Sequence, residues 1–170
     1  MDFVGVPSAR KNSDVISFRN ATVEDIPAIL EMCHALVDET NEHNTFVNIP
    51  LHEGKTRTML HRYITQPGMF FTGIAEIDGE IVGALFGHIV EYYFCHYKLA
   101  QDIAWYVKPE FRGTFAGVVL LKEFERWSSD HGASEVCIAI ATGIYAERTG
   151  KLLEKRGFGH VGGTYKLRLE

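Results

Sequence analysis

One stretch, VKPEFRGTFAGVVLLKEFERW from Val107 to Trp127, restricts the fold more than any other part of the chain. It reads as the end of a strand, stops at Pro109 and turns through Arg112 and Gly113. It then sets Val119, Leu120, Phe124 and Trp127 on one helical face. A strand that passes through a tight turn straight into a helix belongs to a layered α/β structure. The same geometry can hold an anion. The first turn of a helix has unbonded N–H groups, and its dipole is positive there. Gly113 and Gly117 would let phosphate oxygens approach the backbone, and Arg112 adds a planar charged fork. A second reading fits these residues equally well: Gly113 makes a sharp turn and Arg112 is solvated.

The rest of the chain supplies the layers. Val15 to Arg19 alternates as a short strand. Thr22 and Asp25 have capping-box spacing, and Ile26, Ile29, Leu30, Cys33, Leu36 and Val37 carry a helix to about Thr40. NEHNTFVNIP reads as a loop, and Glu53 to Thr65 as a helix ended by QPG. Met69–Ile77 and Ile81–Val90 read as strands joined by an Asp78-Gly79 hairpin. Asp102–Val107 is a further strand, Ala116–Asp130 a helix, and Glu135–Ala141 a near-continuous apolar strand of the kind covered on both faces. Ala146–Arg156 is a helix closed by Gly157, and short strands near Phe158–Val161 and Thr164–Leu169 finish the chain. The predicted order is β-α-α-β-β-β-α-β-α-β-β. This is one α/β (α+β) domain over residues 15–170 with a mixed sheet, preceded by a flexible tail of residues 1–14.

Composition narrows the function. A chain of 170 residues with 46% apolar and 23% charged residues can bury a full core. The net charge of −5 argues against nucleic acid, whose phosphates demand clustered Lys and Arg. There is no apolar run of membrane-spanning length and no signal-peptide core. Cys33, Cys95 and Cys137 are scattered and read as reduced, buried thiols of a cytoplasmic protein. The eight histidines include no HxxxH pair, and no CxxC occurs, so no metal is expected.

YVKPEFRGTFAG resembles the acyl-CoA-binding motif of the GNAT N-acetyltransferase superfamily, V-x-P-x-x-R-G-x-G-x-G/A, with Val107, Pro109, Arg112, Gly113 and Gly117 in register. AERTGKLLEKRGF is similar to the family's later helix, N-x-x-A-x-x-L-Y-x-x-x-G-F, at Leu152, Gly157 and Phe158. The spelling also resembles phage and prophage members. The likeness covers about residues 15–170 and implies a GNAT-like fold whose fourth and fifth strands splay. It implies acetyl-CoA as co-substrate, with no metal, and a small-molecule or peptide amine as acceptor. The backbone of Trp105, Tyr106 and Val107 would pair with the pantetheine arm. The N–H groups of Arg112, Gly113, Thr114, Phe115, Ala116 and Gly117 would hold the pyrophosphate. Val107 N–H would polarise the acetyl carbonyl.

The resemblance also implies a proton acceptor. Asp102 stands where several members carry an acidic base, and Glu91 is a second candidate. Three departures bear on the site. Phe115 takes the place of the middle glycine, so its φ must suit a side chain that points away from the phosphates. Leu153 stands where a Tyr often protonates the leaving thiolate, and Ala146 where an Asn often steadies the pantetheine. Tyr145 is an alternative acid. Asp102 also reads as a strand-edge or salt-bridged residue, and Tyr145 as a packing residue. Tyr92, Tyr93, Phe94 and Tyr97 read as an acceptor pocket or as an interface. VDETNEHN reads as an attractor of cationic amines or as a solvated loop. The final strands are positioned to pair across a homodimer. A catalytically degenerate CoA-binding or interaction module is the alternative function.

Overall fold

The structure is a computed structural model that describes residues 15–43 and 50–167. Three segments lie outside the described residues: the tail of residues 1–14, most of the loop read in NEHNTFVNIP (residues 44–49), and residues 168–170. Nine elements follow one another: β1 (Ile16–Asn20), α1 (Ile26–His43), α2 (Glu53–Thr65), β2 (Phe70–Ile77), β3 (Glu80–Glu91), β4 (Lys98–Val107), α3 (Ala116–Asp130), β5 (Glu135–Cys137) and α4 (Ala146–Lys155).

The sheet is mixed, with strands in the order β1-β2-β3-β4-β5. The first three pairings are antiparallel, and β4–β5 is parallel. The β2–β3 hairpin turns on Asp78 at φ 51° and Gly79 at φ 80°. Left-handed conformations at both turn residues match the twist of the flanking strands. EYYFCHYKL resolves in the same way: Tyr92 to Tyr97 turn between β3 and β4, and Lys98 and Leu99 open β4.

Alternating strand residues supply two cores. Ile74, Ala84, Phe86 and Tyr106 face α1 and α2, where Ile29, Leu30, Met32 and Leu60 meet them. Phe71, Val82, Leu85 and Ala100 face α3, where Ala116, Leu120 and Phe124 meet them. A side chain such as Phe124, fully buried, contributes about 1.5–3 kcal/mol relative to exposure. Gly87 makes this contact possible: a Cβ there would lie 2.5 Å from Phe124 Cε2.

The described chain departs from the sequence reading in four places. The first helix runs past Thr40 to His43, so most of VDETNEHN is helical. The fifth strand is three residues long, because it pairs only from Leu99↔Glu135 to Gln101↔Cys137. Residues 158–167 form no strand where the two closing strands were expected. That segment contains Gly159, Gly162 and Gly163, and it exposes Val161 at 95% and Tyr165 at 98%. It pairs with no strand among the described residues and is tied to the domain by Phe158 N–H donating to Leu153 O at 3.0 Å and Lys166 Nζ donating to Ala141 O at 3.1 Å. Finally, the thiols are not uniformly buried: Cys95 is exposed in the β3–β4 turn.

Candidate active site: the cleft between β4 and β5

Two features separate β4 from β5. The β3–β4 register slips between Phe86↔Ala104 and Gly87↔Asp102, leaving Ile103 as an extra residue on β4. Such a bulge bends the strand that carries it. Beyond Cys137 the chain runs on unpaired through Ile138 to Ala141 and forms the opposite wall. The gap is a cavity of about 520 Å³, with β4 on one side, residues 138–142 on the other and the start of α3 at its end.

Main-chain direction along β4 decides what the cavity sees. Lys108 N–H donates to Val82 O at 2.9 Å, so Lys108 and then Tyr106 point their backbone groups toward β3. Trp105 and Val107 alternate with them and turn their N–H and C=O groups into the cleft. Of the three backbone residues read from the sequence, Tyr106 is therefore the one whose main chain faces away.

At the end of the cleft the turn amides also alternate. Arg112 N–H donates to Pro109 O and Thr114 N–H to Phe111 O, both at 3.2 Å. Ala116 N–H reaches Thr114 Oγ1 at 3.3 Å. The N–H groups of Gly113, Phe115, Gly117 and Val118 have no acceptor among the described residues. Only part of the expected run of amides is thus free, and Val118, which the motif did not single out, joins it. Gly113 is at φ 99°, a conformation that favours glycine. Phe115 meets the condition set for a non-glycine: its φ is −82°, and its ring is 60% exposed.

The Arg112 side chain does not point along these amides. Its Nη1 and Nη2 bind the two Glu39 oxygens at 2.5 and 2.6 Å, and its Nε donates to Val107 O at 2.9 Å. The rings of Tyr106 and Tyr145 lie on the guanidinium, each centroid 5.4 Å from Cζ. Hydrogen bonding to Arg112 holds the Glu39 carboxyl below its usual range. The guanidinium therefore fastens α1 to the end of β4. A different cation covers the turn: a Cβ on Gly113 would lie 3.3 Å from Arg148 Nη2.

Asp102 lies where the strands part. Its Oδ1 accepts Ala139 N–H at 2.8 Å, bridging the mouth of the splay. Burial pushes its carboxyl up, opposed by the Ala139 N–H and by nearby His88. Tyr145 lines the cleft at φ 48°, just before α4. Glu91 is elsewhere: it ends β3, exposed, with one oxygen 3.5 Å from His96 Nδ1. Leu153 is 7% exposed and packs in the interior. The aromatic segment is a turn outside the cavity, with Tyr93 97% exposed and its ring edge-on to Phe94.

The Acetyltransferase (GNAT) family model matches residues 31–158. The chain belongs to the GNAT acetyltransferase family. Solved structures share the fold at low identity. A predicted acetyltransferase with acetyl-CoA from Clostridium acetobutylicum is 13% identical over 91% of this chain and 96% of its own, with a TM-score of 0.70. Glucosamine-6-phosphate N-acetyltransferase from Arabidopsis thaliana is 12% identical over 92% and 100%, also at 0.70. An aminoglycoside acetyltransferase from an uncultured soil metagenomic sample, in complex with sisomicin, is 18% identical over 91% and 97%, at 0.63. The sequence has no match among curated proteins.

Two further features of the cleft involve Trp105. Trp105 Nε1, beside the cavity, is buried with no hydrogen-bond partner among the described residues. Gly117 admits the Trp105 ring, since a Cβ there would lie 3.3 Å from Cζ2. Val118 and Arg148 escaped the sequence reading, and Glu39 was read only within VDETNEHN, not as the partner of Arg112. A cation three residues into a helix, where the dipole disfavours it, is the one local signal that pointed to Arg148.

Proposed function

We propose that this GNAT chain moves an acetyl group from acetyl-CoA to a primary amine of a small molecule or peptide. One observation carries the reading: the cleft-facing main chain of Trp105 and Val107 leads to four amides, at Gly113, Phe115, Gly117 and Val118, that are unbonded among the described residues. Parallel donors and acceptors followed by a helix start suit a pantetheine arm ending in phosphates. The amine acceptor has indirect support, since two structures of the same fold are named for amino-sugar substrates.

Acetyl-CoA would supply the activated acyl thioester, and the chain's residues have three tasks. The amides at the front of α3 bind the phosphates. The Val107 N–H, aimed into the cleft, is placed to stabilise a developing oxyanion. Asp102 takes the proton from the incoming amine, a role suited by burial that raises its affinity for protons. With Leu153 buried, Tyr145 is the phenol at the cleft that can return a proton to a thiolate. Holding amine and thioester together supplies much of the acceleration.

Thermal unfolding with and without acetyl-CoA tests binding. Free ligand at a hundredfold its Kd should stabilise the fold by about 2.7 kcal/mol. Thiol release over amino sugars, polyamines and peptide N-termini then tests transfer. An unchanged melting temperature would end the CoA reading. Stabilisation without thiol release on any amine would leave a CoA-binding module.

A further inference from the structure

We infer that Arg148 of α4, rather than Arg112, supplies the side-chain cation to the diphosphate of the carrier; this rests on the acetyl-CoA reading. Arg112 is the expected candidate from its place in the motif, but three of its nitrogens are already bonded. Nη1 and Nη2 hold Glu39, and Nε holds Val107 O. Two tyrosine rings cover its faces. Turning it toward the phosphates would strand Glu39, whose side chain is only 15% exposed.

Arg148 is in the opposite state. Its Nη2 lies against Gly113, within 3.3 Å of the position a Cβ would take, and it has no ion pair or hydrogen bond among the described residues. Its neighbours are bonded elsewhere: Glu147 holds Lys151 at 2.6 Å. Arg148 is exposed, and no protein carboxylate among the described residues holds it. Arg148 is in the first turn of α4, where the helix dipole is positive, and its guanidinium reaches the front of α3, another positive end. The front of α3, with its unbonded amides, and an unpaired guanidinium reaching over from α4 meet at Gly113. A phosphate group satisfies all of them together, and a guanidinium binds it through parallel N–H bonds. Arg148 also lines a groove along α4 with Lys151, Lys155 and Glu147, where Glu147 is paired with Lys151.

Calorimetry on the full chain with CoA, 3′-dephospho-CoA and pantetheine tests the assignment. R148Q should bind both CoA and 3′-dephospho-CoA about tenfold or more weakly than wild type, the scale of one lost charged hydrogen bond. Its affinity for pantetheine, which has no phosphate, should be unchanged, and R148K should recover part of the loss. R112Q should lose less than R148Q. R148Q binding CoA like wild type would overturn the assignment, as would a loss confined to CoA, which would move Arg148 to the 3′-phosphate, or a larger loss in R112Q. A wild-type chain with no affinity for CoA would overturn the acetyl-CoA reading as well.

Discussion

Arg112 and Glu39, 73 residues apart in sequence, face each other with both guanidinium arms on both carboxylate oxygens, at 2.5 and 2.6 Å. The pair joins the last full turn of α1 to the turn that follows β4. The pair therefore ties the end of the cleft wall to α1.

Breaking this pair should cost stability. E39A leaves a largely buried guanidinium unpaired and should lower unfolding free energy by about 2 kcal/mol. The readout is the denaturant midpoint at constant slope. A midpoint equal to wild type would show that the pair holds nothing.

Asp102 should trade stability against turnover. Its folded-state affinity for protons is raised by burial, so ionising it disfavours the fold. That penalty is present above the raised pKa and disappears as pH falls through it. D102N keeps an oxygen for Ala139 N–H and removes the charge. It should melt no lower than wild type at neutral pH, and relatively lower at acid pH, where wild type has lost its penalty. As a base Asp102 works ionised, so the wild-type rate should fall as pH drops through the same pKa. D102N should lack that limb and turn over far more slowly. A rate profile unchanged in D102N would remove Asp102 from the chemistry.

Gly113 is held at φ 99° beneath the Arg148 guanidinium. G113A should cost about 1–2 kcal/mol of backbone strain and shift the turn amides. Calorimetry should then show weaker CoA binding with little change toward pantetheine. Equal affinity for CoA would mean that the amides beside Gly113 do not meet the phosphates.

Gly87 underlies the Phe124 ring of α3. A Cβ there would lie 2.5 Å from Phe124 Cε2 and 2.9 Å from Gln101 O, and the backbone oxygen cannot move aside easily. G87A should lose about 1–3 kcal/mol through overpacking. The double variant with F124L should recover part of it, and an additive double variant would separate the two positions.

Much of the fold was legible because its signals are local. The strand–turn–helix from Val107 to Trp127, the Asp78-Gly79 hairpin and the apolar faces of α1 and α3 are each set by spacing and turn chemistry within one window. The turn at Arg112, Gly113 and Gly117 was legible in the same local way, whereas Asp102 and Val107 came from the resemblance to the GNAT motif; all five line the cleft. Local reading failed at Glu135–Ala141, where apolar residues suggested seven paired positions but the splay allowed three. It failed at the end of the chain too, because a strand requires a neighbour that residues 158–167 do not find.

The amino-acid sequence by itself determined the helices, the strands up to β4 and which turn presents its amides, since sterics and periodicity act between near neighbours. Tertiary structure decided which of those amides stay unbonded, and which arginine is tied down and which is left without a partner. Those outcomes depend on what α1 and α4 bring to the turn across long stretches of chain. A motif can name Arg112, but only packing delivers Glu39 to it and leaves Arg148 over Gly113.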